Sequence, residues 1–167
     1  MGSDTDVANE VWLGKEDYKK MVRAMPIVSV DLIVNDEHGR ILLGKRLNRP
    51  AANHWFVPGG RLFKGETIAQ AVKRISLQEL GKELAHSRGL GVFHQLYPDN
   101  FADDTHGSHY VTFAISVTST SNMSLLQGDD QHNEFRWWEV RDLMDSNEVH
   151  SVTKNYFLPA PENRALL

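Results

Sequence analysis

A sandwich of the α/β or α+β class is the fold this sequence predicts. Its basis is a succession of extended apolar stretches around one strongly amphipathic helix, with two short helical stretches closing the chain. Residues 1–11 are polar and read as a flexible N-terminal segment ahead of one domain over 12–167. "KEDYKKMVRAM" (15–25) puts Tyr18, Met21, Val22 and Met25 at helical spacing before Pro26 stops the helix. "IVSVDLIV" (27–34) is β-branched and apolar, "NDEHG" turns it, and "RILLGKR" (40–46) completes a hairpin. "WFVPGGRLF" is extended around a Pro-Gly-Gly break, and residues 66–81 form the clearest helix. "GLGVFHQLY" (89–97), "HYVTFAISVT" (109–118) and "EFRWWEV" (134–140) read as strands. "RDLMDS" and "SVTKNYFL" read as the closing helices.

The bulk numbers narrow the function classes. A chain of 167 residues buries a real core without staples. A formal charge of −4 argues against a dedicated nucleic-acid binder, which carries a basic excess, while leaving room for a local basic pocket. There is no cysteine, so neither disulfides nor thiol chemistry enter. The acidic start "MGSDTDVANE" is the opposite of a secretory signal, and no apolar run approaches the ~20 residues that span a bilayer. A cytoplasmic protein without a membrane partner is the expectation.

On a helix at 66–81, Ile68, Ala71, Val72 and Ile75 share one face and Glu79 continues the same row. Arg74 and Gln78 lie on a flank, with Glu66 further round. A carboxylate on a buried stripe needs a partner. Backbone amides or an arginine would supply one, and a metal ion facing a cleft would supply another; the helix alone leaves both open.

The surrounding residues carry a resemblance. Gly60, five residues, Glu66, seven residues, Arg74, then Glu79 and Gly81 resemble the Nudix box, G-x5-E-x7-R-E-U-x-E-E-x-G-U. Ile75 and Gln78 stand where the box has acids, Ser76 and Lys82 where it has apolar residues. The implied fold is the Nudix α/β/α sandwich with a mixed β-sheet, and the implied activity is hydrolysis with a divalent metal. From Leu13 to Tyr156 the chain is similar to the branch of that family that hydrolyses GDP-mannose, through "LGKEDY", "LLGKRLNRPA", "WFVPGGR", "HYV", "DDQHNEFRW" and "VH".

That resemblance implies attack of water at C1 of the sugar, with inversion and departure of GDP. It implies one Mg²⁺ (or Mn²⁺) per subunit, held by the Gly59 carbonyl, Glu79 and Gln131, with His132 as general base. Arg46 and Arg61 would grip the diphosphate and Tyr110 would donate to it, while Asp31 would face the sugar. Trp12 and Asp17 would reach the nucleotide across a homodimer. His94 and Gln95 stand in the reverse of the family order, and "PDNFADDTHGS" (98–108) reads as a solvated lid. Two other readings stay open: a conventional Nudix pyrophosphatase cleaving P–O, and a Nudix-like regulator that binds nucleotides without turnover.

Overall fold

The computed structural model describes residues 14–49, 51–84, 88–100, 106–119, 132–159 and 164–165. Helix α1 (Lys15–Ala24) precedes strands β1 (Ile27–Asn35), β2 (Ile41–Arg46), β3 (Trp55–Phe56) and β4 (Gly59–Arg61). Helix α2 (Ile68–Leu80) follows, then β5 (Arg88–Tyr97), β6 (Ser108–Thr118), β7 (His132–Trp138), α3 (Val140–Asp145), α4 (Ser151–Asn155) and β8 (Arg164–Ala165).

The strands join in the order β3-β2-β1-β6-β5-β8, with β4 also on β1 and β7 also on β2. β1 and β6 run parallel from Ile27↔Tyr110 to Asn35↔Thr118 while the other pairings are antiparallel, so the sheet is mixed. β1 lies at its centre and is buried on both faces, which explains its near-continuous apolar run. Alternation sends Val30, Leu32 and Val34 to one face, where they pack with Ala71, Val72, Ile75 and Leu80 of α2. On the opposite face Ile33, Phe93 and Ala114 pack with Leu143, Val152 and Tyr156 from α3, α4 and the residue after it. Helices thus cover both faces, giving the α/β/α sandwich. Two polar side chains interrupt the second face. Ser29 shares a hydrogen bond with Thr112 at 2.7 Å; Asp31 belongs to the site described below.

Two of the boundaries that differ from the sequence reading bear on the site. Helix α2 starts at Ile68, because Thr67 caps it: its hydroxyl accepts from Gln70 N and Gln70 Oε1 accepts from Thr67 N. Glu66 therefore stands before the helix instead of on it. The strand expected over 134–140 runs 132–138, and Val140 opens α3, whose first turn is closed by Leu143 N donating to Glu139 O at 3.0 Å. No helix among the described residues is long and apolar enough to cross a membrane.

Candidate active site

Gly59 is the hinge point of the site. It pairs with Asp31 across β1 and β4. In that ladder Leu32 N donates to Pro58 O and Leu62 N donates to Val28 O, so hydrogen-bonded pairs alternate and Asp31–Gly59 falls between them. The N–H and C=O of Gly59 consequently point away from β1, out of the edge of β4. The N–H goes to Glu79 Oε2 at 3.1 Å. A side chain at 59 has no room: a Cβ there would lie 2.4 Å from Asp31 Oδ1 and 3.0 Å from Val30 O. Glycine is needed here for close approach.

Arg61 repeats the pattern two residues on. Its carbonyl accepts from Arg74 Nη2 at 2.9 Å, so β4 is fastened to α2 at both ends. Arg74 also forks onto Glu66, Nε to Oε1 at 2.7 Å and Nη2 to Oε2 at 2.8 Å, and Phe63 N adds a third bond at 3.0 Å. Burial alone would push the Glu66 carboxyl up, but Arg74 and the Phe63 amide together hold it below the usual carboxylate range. Glu66 and Arg74 secure the loop that carries the glycines.

The two positions where acids are missing are accounted for in different ways. Ile75 is 2% exposed, belongs to the α2 core and packs against Gly60, with Cγ1 3.3 Å from where a Cβ would stand. Gln78 is exposed and accepts from Arg74 Nη1 at 3.1 Å. Among the described residues no group of three His, Cys, Asp or Glu side chains converges to hold a metal. What β4 and α2 do offer is the buried Glu79 carboxylate beside an outward-facing Gly59 carbonyl. Both are hard oxygen donors, a set that fits one divalent cation of the Mg²⁺ kind.

On the other face of β1, Asp31 sits among aromatic and amide groups. Tyr156 donates to its Oδ2 at 2.6 Å. Burial pushes the Asp31 carboxyl up to about 6, against the pull of Tyr156, Arg46 and Gln95. Arg46 leaves the end of β2 with its guanidinium 5.5 Å from the Phe56 ring centroid, and its Nε is buried without a hydrogen-bond partner among the described residues. Its charge is felt by Asp31, Tyr97, Tyr110 and His150, so it faces one cluster. Arg61 lies 5.3 Å from the Tyr18 ring centroid, bringing α1 over the site. Tyr110 is half-buried and hydrogen-bonded with Tyr18; burial raises its hydroxyl well above the ordinary value, so it stays a proton-bearing donor.

The fold therefore brings Asp31, Arg46, Gly59, Arg61, Glu79 and Tyr110 around the junction of β1, β2, β4 and β6. Asp17 does not join them within this chain: it is exposed on α1 and paired with Lys20 at 3.0 Å. Trp12 and Gln131 lie outside the described residues, as do residues 101–105 of the 98–108 loop. The backbone of His132 is described, and it pairs with Arg46 across β2 and β7. The reversed pair on β5 divides its roles. Gln95 is buried within the Asp31 cluster, while His94 is exposed and meets His109 at 3.2 Å. Gln95, Tyr97, Tyr156, Tyr18 and His150 were not singled out from the sequence as site residues. The alternation Phe93, Gln95, Tyr97 held a usable signal, an amide between two aromatics on one strand face. Tyr156, at the end of a short helix, carried none.

The NUDIX domain family model matches residues 25–159, most of the chain. The chain belongs to the Nudix family. It is 36% identical over 124 residues to the low-salt glycan biosynthesis protein Agl8 of Haloferax volcanii, covering 74% of this chain and 78% of that one. Its fold is similar to a MutT Nudix hydrolase of Burkholderia pseudomallei, with a TM-score of 0.60 at 26% identity over 79% of this chain and 95% of the other. It is also similar to the MutT protein of Methanosarcina mazei Go1, with a TM-score of 0.62 at 19% identity over 80% and 92% of the two chains, a likeness of fold alone. Membership of the Nudix family supports hydrolysis of a small nucleotide substrate, generally with a divalent metal such as Mg²⁺.

Proposed function

We propose that this Nudix protein hydrolyses a nucleotide sugar of the GDP-mannose type to GDP and free sugar, by attack of water at the anomeric carbon with inversion. The observation that carries the reading is the state of the box. Ile75 is packed into the α2 core and Gln78 is a neutral amide, so the helix offers Glu79 alone as an acid toward Gly59. A site that splits a phosphoric anhydride by activating water beside phosphorus draws on several metal-held carboxylates. Attack at carbon asks less, because the water approaches away from the diphosphate. The glycan-biosynthesis name of the Agl8 relative supports a sugar-bearing substrate.

Glu79 and the Gly59 carbonyl, with Gln131, would hold the divalent ion, which when bound supplies positive charge beside the diphosphate. Arg46 and Arg61 add guanidinium forks that match phosphate oxygens, and Tyr110 donates from its hydroxyl. His132 takes the proton of the attacking water as its oxygen bonds to C1, and the C1–O bond breaks with its electron pair leaving on the β-phosphate of GDP. The register of His132 opposite Arg46 is compatible with that pairing of base and phosphate grip. A homodimer in which the N-terminal segment, with Trp12 and Asp17, reaches the partner's nucleotide completes the proposal.

The test is product analysis. With GDP-mannose and Mg²⁺, proton and phosphorus NMR in the first minutes should give GDP and β-mannose. GMP with mannose 1-phosphate would mean attack at phosphorus and overturn the reading. His132→Ala should lower turnover by roughly 10²-fold or more if it is the base.

A further inference from the structure

We propose that Tyr18 is a positioning residue: it reaches over the central strand β1 and sets the Arg61 guanidinium and the Tyr110 hydroxyl relative to each other, so that both meet the departing phosphate of the substrate. The inference rests on the nucleotide-sugar reading above, in which Arg61 and Tyr110 grip the diphosphate, and deepens it by naming what aligns the two.

The sheet alone leaves these two residues apart. Arg61 lies on β4, opposite Ser29 of β1, and Tyr110 lies on β6, opposite Ile27 of β1. β1 stands between the two strands, so neither ladder fixes one side chain against the other. Tyr18 comes from outside the sheet. Its backbone N–H closes the first turn of α1 by donating to Gly14 O at 2.9 Å, and α1 packs on β6 just before the chain enters β1. From there the Tyr18 ring centroid lies 5.3 Å from the Arg61 guanidinium, and its hydroxyl is hydrogen-bonded with Tyr110. One side chain thus touches a residue of each strand. Tyr97 backs Tyr110 from β5, edge-on with 5.6 Å between ring centroids. The rest of α1 adds little to the core. Val22, one turn on, is the residue it buries, Met25 is 58% exposed, and the ion pairs Lys19–Glu16 and Lys20–Asp17 lie within the helix. Tyr18 itself is half-buried, and the two contacts that span β1 are both with residues of the site.

The consequence differs for the two partners. The backbone of Arg61 is fixed, since its carbonyl accepts from Arg74 Nη2 at 2.9 Å, but the long side chain beyond it has several rotors to order. An aromatic ring within cation–π range gives the guanidinium a surface to rest on. Order set before the substrate arrives need not be imposed at binding. Tyr110 has one hydroxyl hydrogen. For that hydrogen to reach a phosphate oxygen, the Tyr110 oxygen must accept in its bond with Tyr18, and a bond accepted strengthens the bond donated. Both effects act at the same moment. As the bond from sugar to oxygen breaks, negative charge grows on the leaving phosphate. Donors already aimed there stabilise the transition state more than the bound substrate.

Tyr18→Phe keeps the ring beside Arg61 and deletes the hydroxyl, whereas Tyr18→Leu deletes both. The experiment measures kcat and KM for GDP-mannose with Mg²⁺ in the wild type, these two variants, Tyr110→Phe, and the double variant Tyr18→Phe/Tyr110→Phe. Tyr18→Phe should lower kcat by about 5- to 10-fold, the loss of one hydrogen bond, with KM unchanged. In the Tyr110→Phe background the same substitution should cost less than about 2-fold, because the bond is already gone. Tyr18→Leu should fall further, toward ~10²-fold, as Arg61 loses its support. Tyr18→Phe carries the test by itself if Tyr18→Leu does not fold. Equal losses from Tyr18→Phe in both backgrounds mean that Tyr18 merely shapes α1 and overturn the inference alone, as does a kcat that Tyr18→Phe leaves unmoved. Absence of GDP release from GDP-mannose by the wild type overturns the nucleotide-sugar reading and this inference with it.

Discussion

Glu66 and Asp31 are two buried carboxylates treated in opposite ways. Glu66, 8% exposed, has both oxygens in the fork of Arg74 and a third bond from Phe63 N. Asp31, 6% exposed, is met by the neutral groups of Tyr156 and Gln95, while Arg46 acts on it through charge alone. The outcomes diverge accordingly: Glu66 is held below the usual carboxylate range, and Asp31 is pushed up to about 6 by its burial. A carboxylate fully matched by a guanidinium is a fastener. One held by neutral donors and pushed up by burial is the kind placed for chemistry or recognition.

Breaking the fastener should have the largest effect. Arg74→Ala removes the fork from Glu66 and the bond to the Arg61 carbonyl, leaving a carboxylate that is 2% exposed by side chain without its cation. A loss of about 3–5 kcal/mol is expected, the range for orphaning one member of a buried pair. Chemical denaturation followed by circular dichroism measures it; a loss under ~1 kcal/mol would place Glu66 in the exposed-pair class. Gly59→Ala tests the other carboxylate. The added Cβ collides with Asp31 Oδ1 and the Val30 carbonyl, so either Asp31 or β4 must shift. Displacement by about 1 Å in such a site costs on the order of 10²-fold in turnover. Steady-state kinetics with a nucleotide-sugar substrate should record that drop while the bond from Arg74 to the Arg61 carbonyl keeps the fold. Unchanged kcat/KM would show that the spacing between Asp31 and Gly59 does not matter to function.

The same contrast explains what could be read from the sequence. The strands, the α2 helix and its core face follow from periodicity, and Thr67 with Gln70 marks the helix start that the reading placed at Glu66. Gly59, Glu66, Arg74 and Glu79 were legible because they fall within 21 residues, where spacing is nearly geometry. The Asp31 cluster was not, because its members lie far apart: Tyr156 is 125 residues from Asp31 and 61 from Gln95. Contacts of that range are set by the parallel pairing of β1 with β6 and the packing of α4, neither of which leaves a local pattern. Arg46 was named as a diphosphate grip through the resemblance; its place at a strand end does not by itself show that the fold turns it inward with Nε buried.

His150 offers the smallest effect and the finest test of the contrast, since it too is a titratable group displaced from its ordinary value. Burial lowers its pKa from 6.5 to about 4, helped by the nearby His54 and by the Arg46 charge. Its Nδ1 accepts from Val152 N at 3.2 Å, which caps α4 and requires that nitrogen to be unprotonated. The unfolded chain binds a proton here as pH falls through 6.5, whereas the folded chain resists until about 4. The folded state is thus favoured in full above pH 6.5 and loses that contribution progressively down to about pH 4. Asp31 acts in the opposite sense: its raised value means that the folded protein holds a proton more readily between the ordinary 3.8 and about 6. The wild-type profile mixes both slopes, so the informative quantity is a difference between two proteins that share Asp31. His150→Asn retains a side-chain acceptor for Val152 N and removes the titration. Thermal midpoints of the two proteins, measured from pH 4 to pH 7.5, should converge or cross in favour of the variant on the acid side and separate in favour of the wild type near neutrality. Parallel curves would mean that His150 titrates alike in the folded and unfolded chains, and that its ring is wetter than its contacts with Phe56 and Tyr97 imply.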